Sequence, residues 1–189
     1  MTLMNSTDNT ISAHSRDIAD AAKALRTGDR VLLSGTVYTA RDAAHMKLFE
    51  LIDESLQLPF EMRGAIIYYA GPTPGGDRPV GSCGPTTSKR MDSFTPRLHD
   101  LGLSATIGKG ERSAEVADAI ARNGAVYFCA VGGAGALMSK HITAATEIAF
   151  PELGCESIKR LEVESMPLIV ALDAVGGDIF KAARSEWQR

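Results

Sequence analysis

Leu103-Ser104-Ala105-Thr106-Ile107-Gly108-Lys109-Gly110, and then Ala125-Val126-Tyr127-Phe128-Cys129-Ala130-Val131-Gly132-Gly133-Ala134-Gly135, are the segments whose reading decides the fold. Each is a short apolar run rich in strand-forming residues and closed by glycine. Between them Ser113 caps a helix whose apolar positions run through Val116 and Ile120 to a stop at Asn123-Gly124. Strand, helix, strand is the unit of an α/β fold. Working toward the N-terminus, Gly64 to Ala70 reads as a buried strand, followed by a Gly- and Pro-dense loop from Gly71 to Pro79 and a short strand at Val80 to Cys83. Before these, Ser15 to Leu25 has helical periodicity, Arg30 to Val37 reads as a strand, and Ala44, Leu48, Leu51, Ile52 and Leu56 share one helical face. Thr39-Ala40-Arg41-Asp42 resembles a capping box for that helix. Thr86, Thr87 or Ser88 is expected to cap a helical stretch, and Thr95-Pro96 marks a second helix closed by Gly102. Beyond Gly135 the pattern predicts a helix to about Ala145, strands at Glu147 to Phe150, Arg160 to Glu164 and Leu168 to Asp173, and a surface helix in the tail. Several strands follow one another directly, so alternation alone leaves the topology open.

A chain of 189 residues suffices for one domain. With 44% hydrophobic and 23% charged residues, the composition is that of an ordinary globular protein. A net charge of −3 offers no footprint for nucleic acid, and no apolar run approaches the roughly 20 residues a membrane span requires. Residues 1–14 read as a flexible polar arm without the order of a signal peptide, and 15–189 as the domain. Cys83, Cys129 and Cys155 are odd in number and widely spaced, which fits free thiols in a reducing cytoplasm and gives no metal-ligand spacing.

Two glycine-rich turns invite nucleotide readings that fail in detail. Gly132 to Gly135 would need a third glycine at Met138 to bind a dinucleotide, and Lys109 is followed by Gly110 where a phosphate loop needs Ser or Thr. More informative are three cations in Gly- and Pro-rich settings: Arg41 at a helix start, Arg90 behind Gly84-Pro85-Thr86-Thr87, and Lys109 between glycines. Beside backbone N–H groups such cations attract carboxylate or phosphate, and a cation at a helix start opposes the macrodipole. A binding site tolerates that placement. His45 lies one helical turn after Arg41 and serves either packing or chemistry; Asp42 reads as a capping residue, and Thr86 as a cap or a functional hydroxyl.

Tyr38-Thr39-Ala40-Arg41-Asp42-Ala43-Ala44-His45, Ile67-Tyr68-Tyr69-Ala70-Gly71-Pro72, Gly84-Pro85-Thr86-Thr87-Ser88-Lys89-Arg90-Met91-Asp92, Ile107-Gly108-Lys109-Gly110 and Val131-Gly132-Gly133-Ala134 together resemble the β subunit, or C-terminal domain, of class I iron–sulfur fumarases and the related tartrate dehydratases. The resemblance runs from about Gly28 to Gly177, nearly the whole chain. It implies a swivelling three-layer β/β/α domain with mixed sheets. It implies a hydro-lyase interconverting fumarate and malate, active only with an alpha subunit that carries a [4Fe–4S] cluster and the general acid, and assembled as a dimer of heterodimers. By motif position, Arg41, Arg90 and Lys109 would hold the carboxylates of a small dicarboxylate and Thr86 would be the base, with His45 and Asp42 in support and no metal ligand in this chain. Tartrate or mesaconate is the alternative substrate, and a non-catalytic anion-binding scaffold the alternative of another class.

Overall fold

The computed structural model describes residues 10–131 and 133–187. Its seven strands are β1 (Thr10–His14), β2 (Arg30–Thr39), β3 (Ile66–Tyr68), β4 (Ala105–Gly108), β5 (Val126–Cys129), β6 (Ile142–Ala149) and β7 (Ile158–Leu172). The helices are α1 (Ile18–Ala21), α2 (Asp42–Asp53), α3 (Thr95–Asp100), α4 (Ala114–Asn123), α5 (Gly135–Ser139) and α6 (Ile179–Trp187). The strands join in the order β1-β2-β3-β4-β5-β7-β6, and β2 also pairs with β7, so β2, β3, β4, β5 and β7 close into a ring. From β2 to β5 the strands run parallel, while β7 is antiparallel to β2, β5 and β6.

Period-two burial explains the closure. Val31, Leu33 and Val37 of β2, Ile66 and Tyr68 of β3, Val126 and Phe128 of β5, and Leu161, Val163, Met166, Leu168 and Val170 of β7 meet in one interior cluster. The outward residues of the parallel strands are buried as well. Ile67 and Tyr69 pack with Ala44 and Leu48 of α2 and Leu98 of α3, and Tyr127 packs with Val116 and Ile120 of α4. Strands covered on both faces carry unbroken apolar runs, which is how β3 and β5 read in the sequence. A sheet doubled on itself with α2, α3 and α4 packed on the outer face of its parallel strands is the two-β-layer, one-α-layer stacking of a β/β/α domain.

Several local expectations are corrected. Thr10–His14, assigned to a loose arm, form β1 in parallel register with Arg30 to Ser34 of β2; residues 1–9 and Gly132 lie outside the described residues. Val80 to Cys83 form no strand, because Gly81 and Ser82 fold back onto Thr73 instead. The helix after Gly135 ends at Ser139, and the strand begins at Ile142. The two strands read at Arg160 to Glu164 and Leu168 to Asp173 are one bent strand, β7. Inward positions step from 161 and 163 to 166 and 168, a one-residue slip at Ser165, whose φ is 50° and whose N–H is held by Ser34 Oγ at 2.9 Å. Such a bulge reverses the phase of the pattern and bends the strand, so the continuous element reads as two.

Candidate functional site

The parallel strands β2 to β5 all finish at one edge, where open α/β sheets present their ligand sites. Arg41 and Asp42 follow β2, Ala70-Gly71 follow β3, and Lys109 follows β4. The Gly-Pro-Thr-Thr segment lies across this edge. Ala70 bridges Pro85, Thr86 N–H donates to Tyr69 O at 2.7 Å, and Thr87 bridges Lys109 in parallel. Thr86 and Lys109 are therefore fixed on neighbouring strand ends.

Two of the cations are each held by a carboxylate. Arg90 Nε donates to Asp42 Oδ1 at 3.0 Å, and its Nη2 lies 2.9 Å from Oδ2 as a charge contact outside hydrogen-bond alignment. This pair ties the segment carrying Thr86 to the first turn of α2. Arg41 Nη2 lies 3.2 Å from Glu156 Oε1, with the two side chains 21% and 23% exposed. Lys109 makes no ion pair among the described residues. The structure thus brings together Arg41, Asp42, Thr86, Arg90 and Lys109.

The expected backbone N–H groups are used internally. Ala43 N–H donates to Glu156 Oε2, Lys109 N–H to Ser88 Oγ and Thr86 N–H to Tyr69 O, so these three are already taken. Arg90 sits in a four-residue 3₁₀ turn, Ser88–Met91, too short for a macrodipole argument, and no hydroxyl side chain caps it. Its cap position is Thr87; the Thr86 hydroxyl makes no hydrogen bond among the described residues and is free of a capping role. The capping box fails for a related reason. Thr39 Oγ1 instead donates to Ser157 O at 3.2 Å and accepts from Lys159 N–H at 2.9 Å, so it fastens β2 to β7, while Asp42 is committed to Arg90. Thr95 is likewise inside α3, with its Oγ1 donating to Met91 O.

His45 stands behind this edge. Fully buried, it is packed on Tyr69 and Phe94, and its Nδ1 donates to Arg41 O at 2.8 Å. Burial pushes its pKa down to about 4, with the Arg112 charge adding to the effect and the Arg41 carbonyl opposing it. The ring is therefore neutral at pH 7, and it supports the first turn of α2.

Arg112, which sequence reasoning missed, and Ser88, which it read only as a possible cap, hold the scaffold. Arg112, with no side-chain exposure, donates from Nε to Asp92 Oδ1 at 2.7 Å and from Nη2 to Thr95 Oγ1 at 2.7 Å, and stacks over Tyr69 and Tyr127. In the sequence it is an unremarked loop cation after Gly110. Ser88, equally buried, accepts from both Lys109 N–H and Tyr127 Oη–H, and a β-carbon added at Gly108 would stand 1.9 Å from its Oγ. Only glycine lets β4 approach the turn this closely. Glu156 was also missed, since 113 residues separate it from Ala43.

Cys83 is buried, Cys129 half-buried on β5 and Cys155 exposed, and burial pushes the Cys83 thiol up to about 12. No group of three His, Cys, Asp or Glu side chains among the described residues could hold a metal ion. The thiols of this chain do not fit an iron–sulfur cluster. No helix among the described residues is long and apolar enough to cross a membrane.

A family model described as the fumarase C-terminus matches residues 2–183. Fumarate hydratase 2 of Leishmania major is 43% identical over 157 residues, 81% of this chain and 28% of the relative. The anaerobic class I fumarate hydratase of Escherichia coli K12 is 43% identical over 156 residues, 80% of this chain and 28% of that protein. The chain thus spans little more than a quarter of these relatives. A Methanocaldococcus jannaschii protein named "Putative L(+)-tartrate dehydratase subunit beta" is 39% identical over 166 residues, 84% of this chain and 85% of its own length.

Proposed function

Since the chain belongs to the fumarase C-terminal family, we propose that it is the beta subunit of a two-subunit hydro-lyase that interconverts fumarate and malate, with the rest of the active site on an alpha subunit. The observation that carries this reading is the convergence of Arg41, Arg90, Lys109 and the uncapped Thr86 hydroxyl on one sheet edge. Three cations suit a substrate with two carboxylates. Removing a proton beside a carboxylate builds more negative charge than the ground state holds, and fixed guanidinium and ammonium groups stabilise that increase selectively. Thr86 Oγ1 is assigned the C3 proton of malate. A threonine hydroxyl is a weak acid whose anion a cation stabilises, and the backbone bridge of Thr87 to Lys109 sets the lysine's segment beside that of Thr86. The [4Fe–4S] cluster and the general acid are assigned to the alpha subunit, consistent with thiols here that do not suit a cluster.

A second reading, tartrate as the substrate, is favoured by one observation: the archaeal tartrate dehydratase relative is matched over 85% of its length, as a separate subunit. Mesaconate is a third substrate of similar charge. The test is co-expression with a cluster-bearing alpha subunit, followed by hydration and dehydration assays on fumarate, malate, L(+)-tartrate and mesaconate. Activity on malate above tartrate is expected, with none from this chain alone. Cluster absorbance and turnover from the isolated chain would overturn the subunit assignment, and a complex inactive on all four would leave an anion-binding scaffold.

A further inference from the structure

Arg41 begins α2, where its charge opposes the helix dipole, yet α2 carries no side-chain cap of its own. Glu156 resolves both deficits at once. One carboxylate oxygen faces Arg41 Nη2 at 3.2 Å and the other accepts the orphan N–H of Ala43 at 3.2 Å. The guanidinium also lies close against backbone: a β-carbon on Gly71 would lie 3.0 Å from Arg41 Nη1 and 3.2 Å from Cys155 O. The segment bearing Glu156 is itself staked down. Lys47 reaches Glu152 at 3.0 Å, Leu153 packs into the α2 cluster, and Thr39 ties Ser157 and Lys159 to the end of β2.

From this arrangement we infer that Glu156 is a positioning residue for the hydro-lyase reaction: it fixes the Arg41 guanidinium in the slot beside Gly71 so that the fork is aligned for a substrate carboxylate before substrate arrives. The inference rests on the proposed function, which supplies the substrate. Its energetic signature differs from that of a substrate-binding group. A carboxylate beside Arg41 weakens the pull on an incoming anion while fixing the cation's direction, so Glu156 sacrifices ground-state affinity for alignment in the transition state. Removing its charge frees Arg41 to attract dicarboxylate from several orientations.

The experiment is steady-state kinetics of the co-expressed complex carrying Glu156→Gln, which keeps the shape and an acceptor for Ala43 N–H, and Glu156→Asp, which keeps the charge on a shorter stem. Thermal unfolding of each complex runs alongside. Both variants are expected to lower kcat by about tenfold or more, the scale on which misalignment costs rate. KM in Glu156→Gln should stay level or fall. Arg41→Lys should instead raise KM, and adding Glu156→Gln to it should cost little more. A merely structural cap predicts a melting temperature lower by about 2–4 °C with kcat per folded complex unchanged, and that result in an active wild-type background overturns the inference while leaving the function standing. A wild-type complex without hydro-lyase activity overturns the function and the inference together.

Discussion

At the level of single residues, Thr86 separates structure from chemistry cleanly because its hydroxyl caps nothing among the described residues. Thr86→Ala should therefore leave stability within about 0.5 kcal/mol, as for a substitution away from any stabilising feature, yet lower kcat by roughly 10² to 10⁴, the span for a positioned proton-transfer group. Thr86→Ser should retain most of the rate. Exchange of the malate C3 deuteron, followed by mass spectrometry, checks the assignment independently of turnover; wild-type exchange in the alanine variant would remove Thr86 from the chemistry. Arg90 tests the cations differently. It is half exposed, and Asp42 meets it with two oxygens, a geometry that a lysine cannot reproduce. Arg90→Lys should lower kcat/KM at least about tenfold, on the order of 1.4 kcal/mol of transition-state stabilisation. Unchanged kinetics would return Arg90 to a surface role. Both residues could be singled out in the sequence, because glycines and prolines beside cations form a local signal. Glu156 and Arg112 could not, since their partners lie far along the chain and a lone Glu or Arg in a loop looks like any solvated charge.

Among the elements, the 3₁₀ turn Ser88–Met91 and α3 depend on a buried guanidinium. Arg112→Met keeps much of the volume but leaves the Asp92 carboxylate without its cation. Breaking one side of a buried pair costs about 3–5 kcal/mol, so urea unfolding should show a loss of that order, and proteolysis should open the 88–100 region first. A variant as stable as wild type would show that Asp92 is satisfied by Ser113 N–H alone. The elements themselves were legible wherever one pattern held throughout. α4 was readable from Ser113 and Gly124, which do occupy its cap and its left-handed stop at φ 63°. β3 and β5 were readable from their apolar runs. What failed were the joints: Val80 to Cys83 has strand-like composition but its hydrogen bonds go to Thr73, and β7 changes phase at Ser165. Each is decided by a partner distant in sequence, which local propensity cannot represent.

For the molecule as a whole, acid sensitivity follows from two histidines buried in neutral form. Burial pushes both His45 and His99 down to about 4 from an ordinary 6.5. A depressed folded pKa means the unfolded chain binds protons first as pH falls. The stabilisation is therefore complete above pH 6.5 and is lost between about 6.5 and 4, by up to roughly 3 kcal/mol per histidine. Urea midpoints measured from pH 7.5 to 4.5 should fall over that window, and His99→Gln should make the decline shallower; a flat profile would mean that neither ring is buried in solution. The ring of strands has a consequence of another kind. Its closure rests on β2 pairing with β7, Arg30 beside Ile169 and Tyr38 beside Arg160, so residues more than 120 positions apart must meet. Such a contact carries a large loop-closure entropy and places the fold among slow, high-contact-order topologies. During synthesis β2 and β5 leave the ribosome with open edges and wait for β7, the last strand in chain order among the described residues. A nascent chain halted before Ile158 would expose those edges to neighbouring chains, so yield in the cell should depend on chaperone supply and temperature more steeply than equilibrium stability alone would suggest.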